Sequence, residues 1–137
     1  MDSRKIFVDT SWFKAFSDPR DDFYKSACEQ YKIIKENNIK LITTNYILDE
    51  SYTLIRKRVG YQSVMDFREM IASLVGTLKL IRIIPQDEFE AWRWFEKNWS
   101  DLSFTDCTSF VIMKRLELTN VATFDNHFVR AGFNPLK

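Results

Sequence analysis

Glycine, proline, cysteine and histidine are all scarce in this chain, which has 3 Gly, 3 Pro, 2 Cys and 1 His in 137 residues. With 45% hydrophobic residues as well, this composition excludes a collagen-like or disordered chain. Cys28 and Cys107 lack a C-x-x-C spacing and are predicted to be reduced, buried thiols, which excludes a disulfide scaffold and a cysteine zinc site. A single histidine, His127, excludes a histidine-rich metal site.

Long apolar runs are also missing, and no run approaches the roughly 18 residues of a membrane helix. The start of the chain shows no secretory segment, so we expect a cytoplasmic protein. The net charge of +1 neither indicates nor excludes a nucleic-acid partner, because local patches matter more than the sum. The length predicts one domain over residues 1–137, and 12 Phe, 5 Tyr and 4 Trp can fill its core.

Apolar patterning predicts an α/β fold. Short apolar runs predict strands at residues 5–9, 40–44, 79–84 and 121–124. Helical spacing predicts helices after Asp9 and at residues 21–37, 45–59, 61–76 and 86–98, and from about Asp106 to Leu118. This alternation predicts a central, mostly parallel sheet of four to five strands flanked by helices. The helix at 86–98 carries Phe89, Trp92, Trp94 and Phe95, a stripe typical of a core or an interface rather than of a base-stacking platform. The Trp residues are interpreted as core, with a homodimer contact as the alternative.

Four acidic residues fall where such a fold places its crevice, at the carboxyl ends of the strands. Asp9 and Asp125 follow apolar runs, and Asp106 stands where a helix begins. On the helix at 45–59, Glu50 is flanked by apolar positions, whereas Asp49 shares a polar face and is predicted to be an ordinary surface charge. A carboxylate among apolar residues costs free energy unless a cation or hydrogen bonds compensate it.

Several of these acids also have an ordinary structural explanation. Asp9 can cap the following helix, and Ser103-x-x-Asp106 matches a capping box. Asp101 has the same ambiguity, and Glu50 can pair with Arg58 or extend towards solvent. A cluster of four carboxylates would suit Mg²⁺ or Mn²⁺ rather than zinc. The sequence has no Walker A loop, no G-x-G-x-x-G and no G-x-S-x-G motif.

The order and spacing of four motifs resemble the PIN-domain family of metal-dependent ribonucleases, and in particular the VapC-like toxins of toxin–antitoxin pairs. The motifs are Val8-Asp9-Thr10-Ser11, Glu50, Leu102 to Cys107, and Ala122 to Phe128. The resemblance covers essentially the whole chain and implies one PIN-like nuclease domain over residues 1–137. It implies an endoribonuclease whose acidic quartet binds one or two Mg²⁺ or Mn²⁺ ions.

The resemblance also assigns roles to individual residues. Asp9, Glu50, Asp106 and Asp125 would form the quartet, with Ser103 as the conserved polar partner. Thr10 or Ser11 would be a supporting hydroxyl, and Asp101 is a secondary candidate. The implied partners are an RNA substrate (tRNA, rRNA or mRNA), a cognate antitoxin protein and a second copy of the chain. Cations are needed around the acids, and the sequence candidates for RNA contact are Arg56, Lys57, Arg58, Lys114 and Arg115.

Three other functions compete with the toxin. One is a housekeeping RNA-processing nuclease of the same fold. Another is a phosphatase that uses Asp9 as a nucleophile, which is disfavoured because Ser11 interrupts the Asp-x-Asp pattern such enzymes use. The last is a non-catalytic interaction domain whose acids only cap helices, and metal binding would separate it from a nuclease.

Overall fold

The computed structural model describes residues 4–137. One domain over residues 1–137 therefore stays a prediction, with residues 1–3 outside the described part. Within it the strands are β1 (Lys5–Val8), β2 (Lys40–Thr44), β3 (Leu78–Ile81), β4 (Asn120–Ala122) and β5 (Asn134–Pro135). The helices are α1 (Thr10–Ser17), α2 (Tyr24–Glu36), α3 (Asn45–Arg58), α4 (Tyr61–Ser73), α5 (Pro85–Phe95), α6 (Phe104–Arg115) and α7 (Asn126–Arg130).

The strands form one sheet in the order β3-β2-β1-β4-β5, and every neighbouring pair is parallel. This confirms the α/β class and a sheet flanked by helices. Ile6, Phe7 and Val8 of the central strand β1 are buried, as expected where helices cover both faces of a parallel sheet. Phe7 packs against Phe128 of α7 with ring centroids 6.4 Å apart. Its neighbours in β1 point to the opposite face.

The turn between α3 and α4 depends on Gly60, whose φ is +142°. A residue with a Cβ rarely adopts this backbone conformation, so glycine allows the chain to reverse there. The predicted role of Gly60 just beyond the end of α3 is confirmed, because its N–H donates to the Ile55 carbonyl at 3.0 Å.

Several predicted boundaries are wrong by a few residues. β3 ends at Ile81, and Ile84 is the exposed N-cap of α5 rather than a strand residue. α4 ends at Ser73, so Val75 lies in the following turn and is 87% exposed instead of sharing the apolar face of α4. Cys107 is buried as predicted, whereas Cys28 is only half-buried. The short elements α7 and β5 were not predicted separately.

The aromatic residues of α5 divide between the core and the surface. Trp94 is half-buried and packs edge-on against Phe110, with ring centroids 5.0 Å apart. Phe89, Trp92 and Phe95 are 69%, 53% and 37% exposed. The interpretation of the Trp residues as core is therefore wrong for Trp92, which together with Phe89 and Phe95 forms an exposed group that we call the α5 aromatic surface.

Among residues 4–137, no helix combines the length and the apolar character needed to span a membrane.

Candidate metal centre and active site

Asp9 follows β1 directly and caps α1, with its side chain 2% exposed. Its Oδ1 accepts from Thr10 N at 2.7 Å, and its Oδ2 accepts from Ser11 Oγ and Thr123 Oγ1, each at 2.7 Å. Burial raises the pKa of Asp9 to about 6; the hydrogen bonds from Thr123 and Ser11 oppose this rise, and the charge of Asp125 adds to it. Asp9 is therefore a buried carboxyl group held in one orientation.

Asp106 lies in the first turn of α6 and is 5% exposed. The predicted capping box is present: Asp106 N donates to Ser103 Oγ at 3.0 Å, and Ser103 N donates to Asp106 Oδ2 at 3.2 Å. Burial raises the pKa of Asp106 to about 7, and the charges of Asp9, Asp125 and Glu50 add to the rise. Capping alone does not explain this crowding, because an isolated cap has no like charges beside it.

Asp125 caps α7, and its Oδ1 accepts from His127 N at 2.9 Å. The ring nitrogen Nδ1 of His127 lies 3.0 Å from Asp125 Oδ1 and 3.3 Å from Asp106 Oδ2. Burial lowers the pKa of His127, but the Ser100 carbonyl and the two carboxylates outweigh it, so that the pKa is raised overall. The imidazole thus lies directly beside two of the four acids.

Glu50 is half-buried on α3, whereas its neighbour Asp49 is exposed, as the sequence indicated. Because the charge of Glu50 helps to raise the pKa of Asp106, the Glu50 carboxylate lies within electrostatic reach of the cluster. The structure therefore groups the predicted quartet at the carboxyl edge of the sheet.

The smaller polar residues support Asp9 in different ways. Ser11 Oγ also accepts from Phe124 N at 2.9 Å and lies 3.2 Å from Thr123 Oγ1, which ties the β1 end to the β4 end. Thr10 is buried, and its Oγ1 has no hydrogen-bond partner among residues 4–137. Asp101 is exposed, with a φ of +61°, and accepts from Ser100 Oγ at 3.4 Å. Asp101 is therefore not part of the acidic cluster.

Sequence reasoning gave no role to Thr123 and excluded a histidine-rich site on account of the single His127. Thr123 bonds to Asp9 and also accepts from Asp125 N at 3.0 Å, so that one hydroxyl links two of the acids. Both residues lie inside the run Ala122 to Phe128, which was noted only for Asp125. The sequence motif therefore contains both residues, but their roles depend on tertiary contacts that the sequence does not show.

The predicted RNA-contact cations are exposed, and three of them make contacts with other side chains. Lys114 lies 6.0 Å from the ring centroid of Trp94, and Arg115 pairs with buried Asp87 at 3.3 Å. Arg115 is roughly 13 Å along α6 from Asp106 at the helical rise per residue. Arg56 lies over the Tyr61 ring at 5.3 Å, and residues 57–58 are exposed in the last turn of α3.

A divalent cation fits this donor set. Asp106, Asp125 and His127 each offer a ligand atom, and these atoms lie within 4.8 Å of one another. Within the described residues, the hydrogen bonds of Asp106 and Asp125 fall on Oδ2 and Oδ1 respectively, which leaves the other oxygen of each carboxylate for a cation. Buried carboxylates that repel one another are compensated best by a metal ion.

Comparison with known proteins agrees with this geometry. The sequence profile of the PIN domain matches residues 6–134. The 23S rRNA-specific endonuclease VapC20 of Mycobacterium tuberculosis is 29% identical over 129 residues, which are 93% of this chain and 95% of that protein. The crystal structure of Mycobacterium tuberculosis VapC20, a sarcin–ricin loop cleaving toxin, matches with a TM-score of 0.80 at 28% identity, over 93% of this chain and 95% of that one.

More distant solved structures share the fold alone. PAE2754 from Pyrobaculum aerophilum has a TM-score of 0.63 at 15% identity, over 97% of this chain and 90% of that chain. FitAcB from Neisseria gonorrhoeae has a TM-score of 0.63 at 14% identity, over 96% of each chain. The match of the PIN profile to nearly all of the described residues decides the family. The chain belongs to the PIN-domain family.

Proposed function

We propose that this protein is a Mg²⁺- or Mn²⁺-dependent endoribonuclease that acts in the cytoplasm as the toxin of a toxin–antitoxin pair. The observation that carries the proposal is the convergence of Asp9, Glu50, Asp106 and Asp125 at one edge of a PIN-family sheet. The likeness to VapC20 over 93% of the chain supports RNA as the substrate and an antitoxin protein as a partner. One or two metal ions would be held by the quartet.

The residues around the acidic cluster have different roles in the proposed reaction. A bound Mg²⁺ or Mn²⁺ supplies positive charge that polarises the scissile phosphate and lowers the pKa of an attacking water. Thr10, Ser11 and Thr123 hold Asp9 in a fixed orientation, which spares the site reorganisation during the reaction. The first turn of α6 brings Asp106 to the same place through its capping box with Ser103.

RNA needs positive charge on the rim of this acidic centre. Arg130 lies over the Trp99 ring at 4.6 Å, Lys97 lies over the same ring at 5.9 Å, and that ring stacks on His127. We propose that Arg130 and Lys97 contact the phosphate backbone next to the scissile bond. The cations predicted from the sequence stay candidates for more distant contacts.

The proposed activity is tested first on a hairpin RNA that carries the sarcin–ricin loop of 23S rRNA. The full chain with Mn²⁺ or Mg²⁺ is expected to cut this hairpin within the loop, and excess EDTA is expected to stop the cutting, because the quartet acts through its metal. Denaturing gel electrophoresis of end-labelled RNA maps the cut. The matched control is a hairpin with the same stem and a scrambled loop, which is expected to stay intact.

The outcomes separate the competing functions. Equal cutting of both hairpins would favour the housekeeping nuclease over a toxin with a narrow target. Failure to cut these hairpins, intact ribosomes or total RNA in either metal would contradict the nuclease. If the protein also bound no Mn²⁺, the non-catalytic interaction domain would be favoured instead.

We further propose a homodimer formed through the α5 aromatic surface. Neighbouring exposed aromatic rings are typical of the buried centre of a protein interface. Trp92→Arg is expected to convert a dimer of the 16.4 kDa chain into a monomer in light scattering coupled to gel filtration, because it places a charge at that centre. Val75→Arg, at another exposed apolar residue, is expected to leave the dimer intact. A monomeric wild type would contradict this proposal.

A further inference from the structure

His127 is the single histidine of the sequence. Two contacts hold its ring in place. Nε2 lies 2.7 Å from the Ser100 carbonyl oxygen, which can only accept a hydrogen bond, so Nε2 carries a hydrogen and donates it. The Trp99 ring stacks on the imidazole with an interplanar angle of 12° and a centroid distance of 6.4 Å. These contacts determine where the second nitrogen points.

That second nitrogen, Nδ1, points into the acidic cluster. It is a buried atom with no partner of hydrogen-bond geometry among residues 4–137, although Asp125 Oδ1 and Asp106 Oδ2 lie 3.0 and 3.3 Å away. In the neutral ring with its hydrogen on Nε2, Nδ1 presents a lone pair to two acceptor oxygens. A proton on Nδ1 or a cation beside it relieves this arrangement, and a cation can be shared, because one oxygen each of Asp106 and Asp125 and a ring nitrogen of His127 lie within 4.8 Å of one another.

We infer that His127 Nδ1 is a direct ligand of the metal ion, beside one oxygen each of Asp106 and Asp125. The inference rests on the proposed function only in that a divalent ion binds at this cluster. Metal-binding histidines usually donate their other ring N–H to a carbonyl or carboxylate, which is the role of Ser100 here. The loop before α6 and the start of α7 would then build the site together.

A nitrogen ligand changes which metal the site prefers. Mg²⁺ takes oxygen ligands and keeps its waters, whereas imidazole suits the transition metals. The sequence predicts an all-oxygen site for Mg²⁺ or Mn²⁺, whereas the mixed oxygen–nitrogen site inferred here would favour Mn²⁺. If His127 only connected α7 to the Ser100 carbonyl, the site would show no preference for Mn²⁺ over Mg²⁺.

The test is pulsed electron paramagnetic resonance of Mn²⁺ bound to the full chain without a histidine tag. Since the chain has 1 His, the ¹⁴N coupling of a coordinated imidazole can come only from His127. Wild type is expected to show that coupling, and His127→Gln is expected to lose it. Calorimetry should show Mn²⁺ affinity reduced at least about tenfold in His127→Gln with a smaller loss for Mg²⁺, since the nitrogen contributes mainly to Mn²⁺ binding.

The outcomes distinguish this inference from the proposed function. Mn²⁺ bound to wild type without imidazole coupling, with equal affinity in His127→Gln, would overturn the ligand role and leave the nuclease standing if RNA is still cut. Absence of Mn²⁺ binding by wild type would overturn both. Circular dichroism of His127→Gln checks that the fold is kept, and the spectrum of wild type decides the ligand question even if it is not.

Discussion

Asp106→Asn is expected to abolish RNA cleavage while making the metal-free protein more stable. Asparagine has nearly the same shape, and its amide oxygen can still accept from Ser103 N, so the start of α6 is kept. It carries no charge, so it binds a divalent ion poorly, and we expect a loss of roughly 10³-fold or more, the scale of removing a principal transition-state interaction. Cleavage rates at saturating Mn²⁺ measure this effect.

The gain in stability follows from the pKa of Asp106. Burial and the charges of Asp9, Asp125 and Glu50 raise that pKa to about 7, so the ionised form is disfavoured in the folded state. Asparagine removes this repulsion, and the melting temperature in EDTA at pH 8 should rise by several degrees. Asp49→Asn, at the exposed acid next to Glu50, should change neither property. A lower melting temperature for Asp106→Asn, or retained cleavage, would contradict the assignment.

Asp9→Asn should also abolish cleavage but should not stabilise the protein. Both oxygens of Asp9 accept hydrogen bonds, from Thr10 N on one side and from Ser11 Oγ and Thr123 Oγ1 on the other. An amide places its NH₂ against one of these donors, and the lost hydrogen bonds offset the relief of charge repulsion. The change in stability therefore distinguishes Asp9, whose carboxylate is held by hydrogen-bond donors, from Asp106, whose carboxylate is surrounded by like charges.

The acids could be predicted from the sequence because each follows a local rule. A carboxylate after a buried strand, or in the first turn of a helix, lies at the carboxyl edge of a parallel sheet whatever the remaining chain does. Asp9 and Asp106 satisfy these rules with their immediate neighbours Thr10 and Ser103. Glu50 needed only the phase of α3, which separated it from Asp49.

The environment of His127 could not be predicted in the same way. Its role depends on the Ser100 carbonyl and the Trp99 ring, which belong to a loop remote in sequence. Trp92 of α5 was misassigned for a related reason. Two adjacent stripes of that helix are apolar, and periodicity cannot tell which one faces the sheet, so Trp92 was placed in the core with Trp94.

The stability of the metal-free protein is expected to fall as the pH rises from 5 to 8. The pKa of Asp9 is raised from 3.8 to about 6 and that of Asp106 from 3.8 to about 7, so the folded state binds more protons than the unfolded state in this range. Stability then decreases with pH, by on the order of 3 kcal/mol in total for two interacting buried groups. The raised pKa of His127 acts in the same direction, since its contribution is lost as the pH rises through the folded value.

Asp18 does not contribute to the pH dependence of stability between pH 5 and 8. The pKa of Asp18 is lowered mainly by its hydrogen bond from Lys14, so its contribution is present above 3.8 and is lost only in more acidic solution. Thermal melts in EDTA at pH 5, 6, 7 and 8 therefore report mainly on the acidic cluster. Asp106→Asn should flatten the curve, because it removes the group with the larger shift.

Added metal should reverse the trend. Mn²⁺ binds the ionised carboxylates, so its stabilisation should be largest at pH 8, with about 2.7 kcal/mol at a free concentration of one hundred times the dissociation constant. Independent helix caps would behave in the opposite way: each cap lowers the pKa of its own carboxylate, so stability would stay constant from pH 5 to 8 and Mn²⁺ would have no effect. A flat melting profile in EDTA, or a metal shift that is largest at pH 5, would favour the caps. A falling profile restored by Mn²⁺ would place the raised pKa values of Asp9 and Asp106 at the metal site, because the metal binds the ionised carboxylates and competes with their protons.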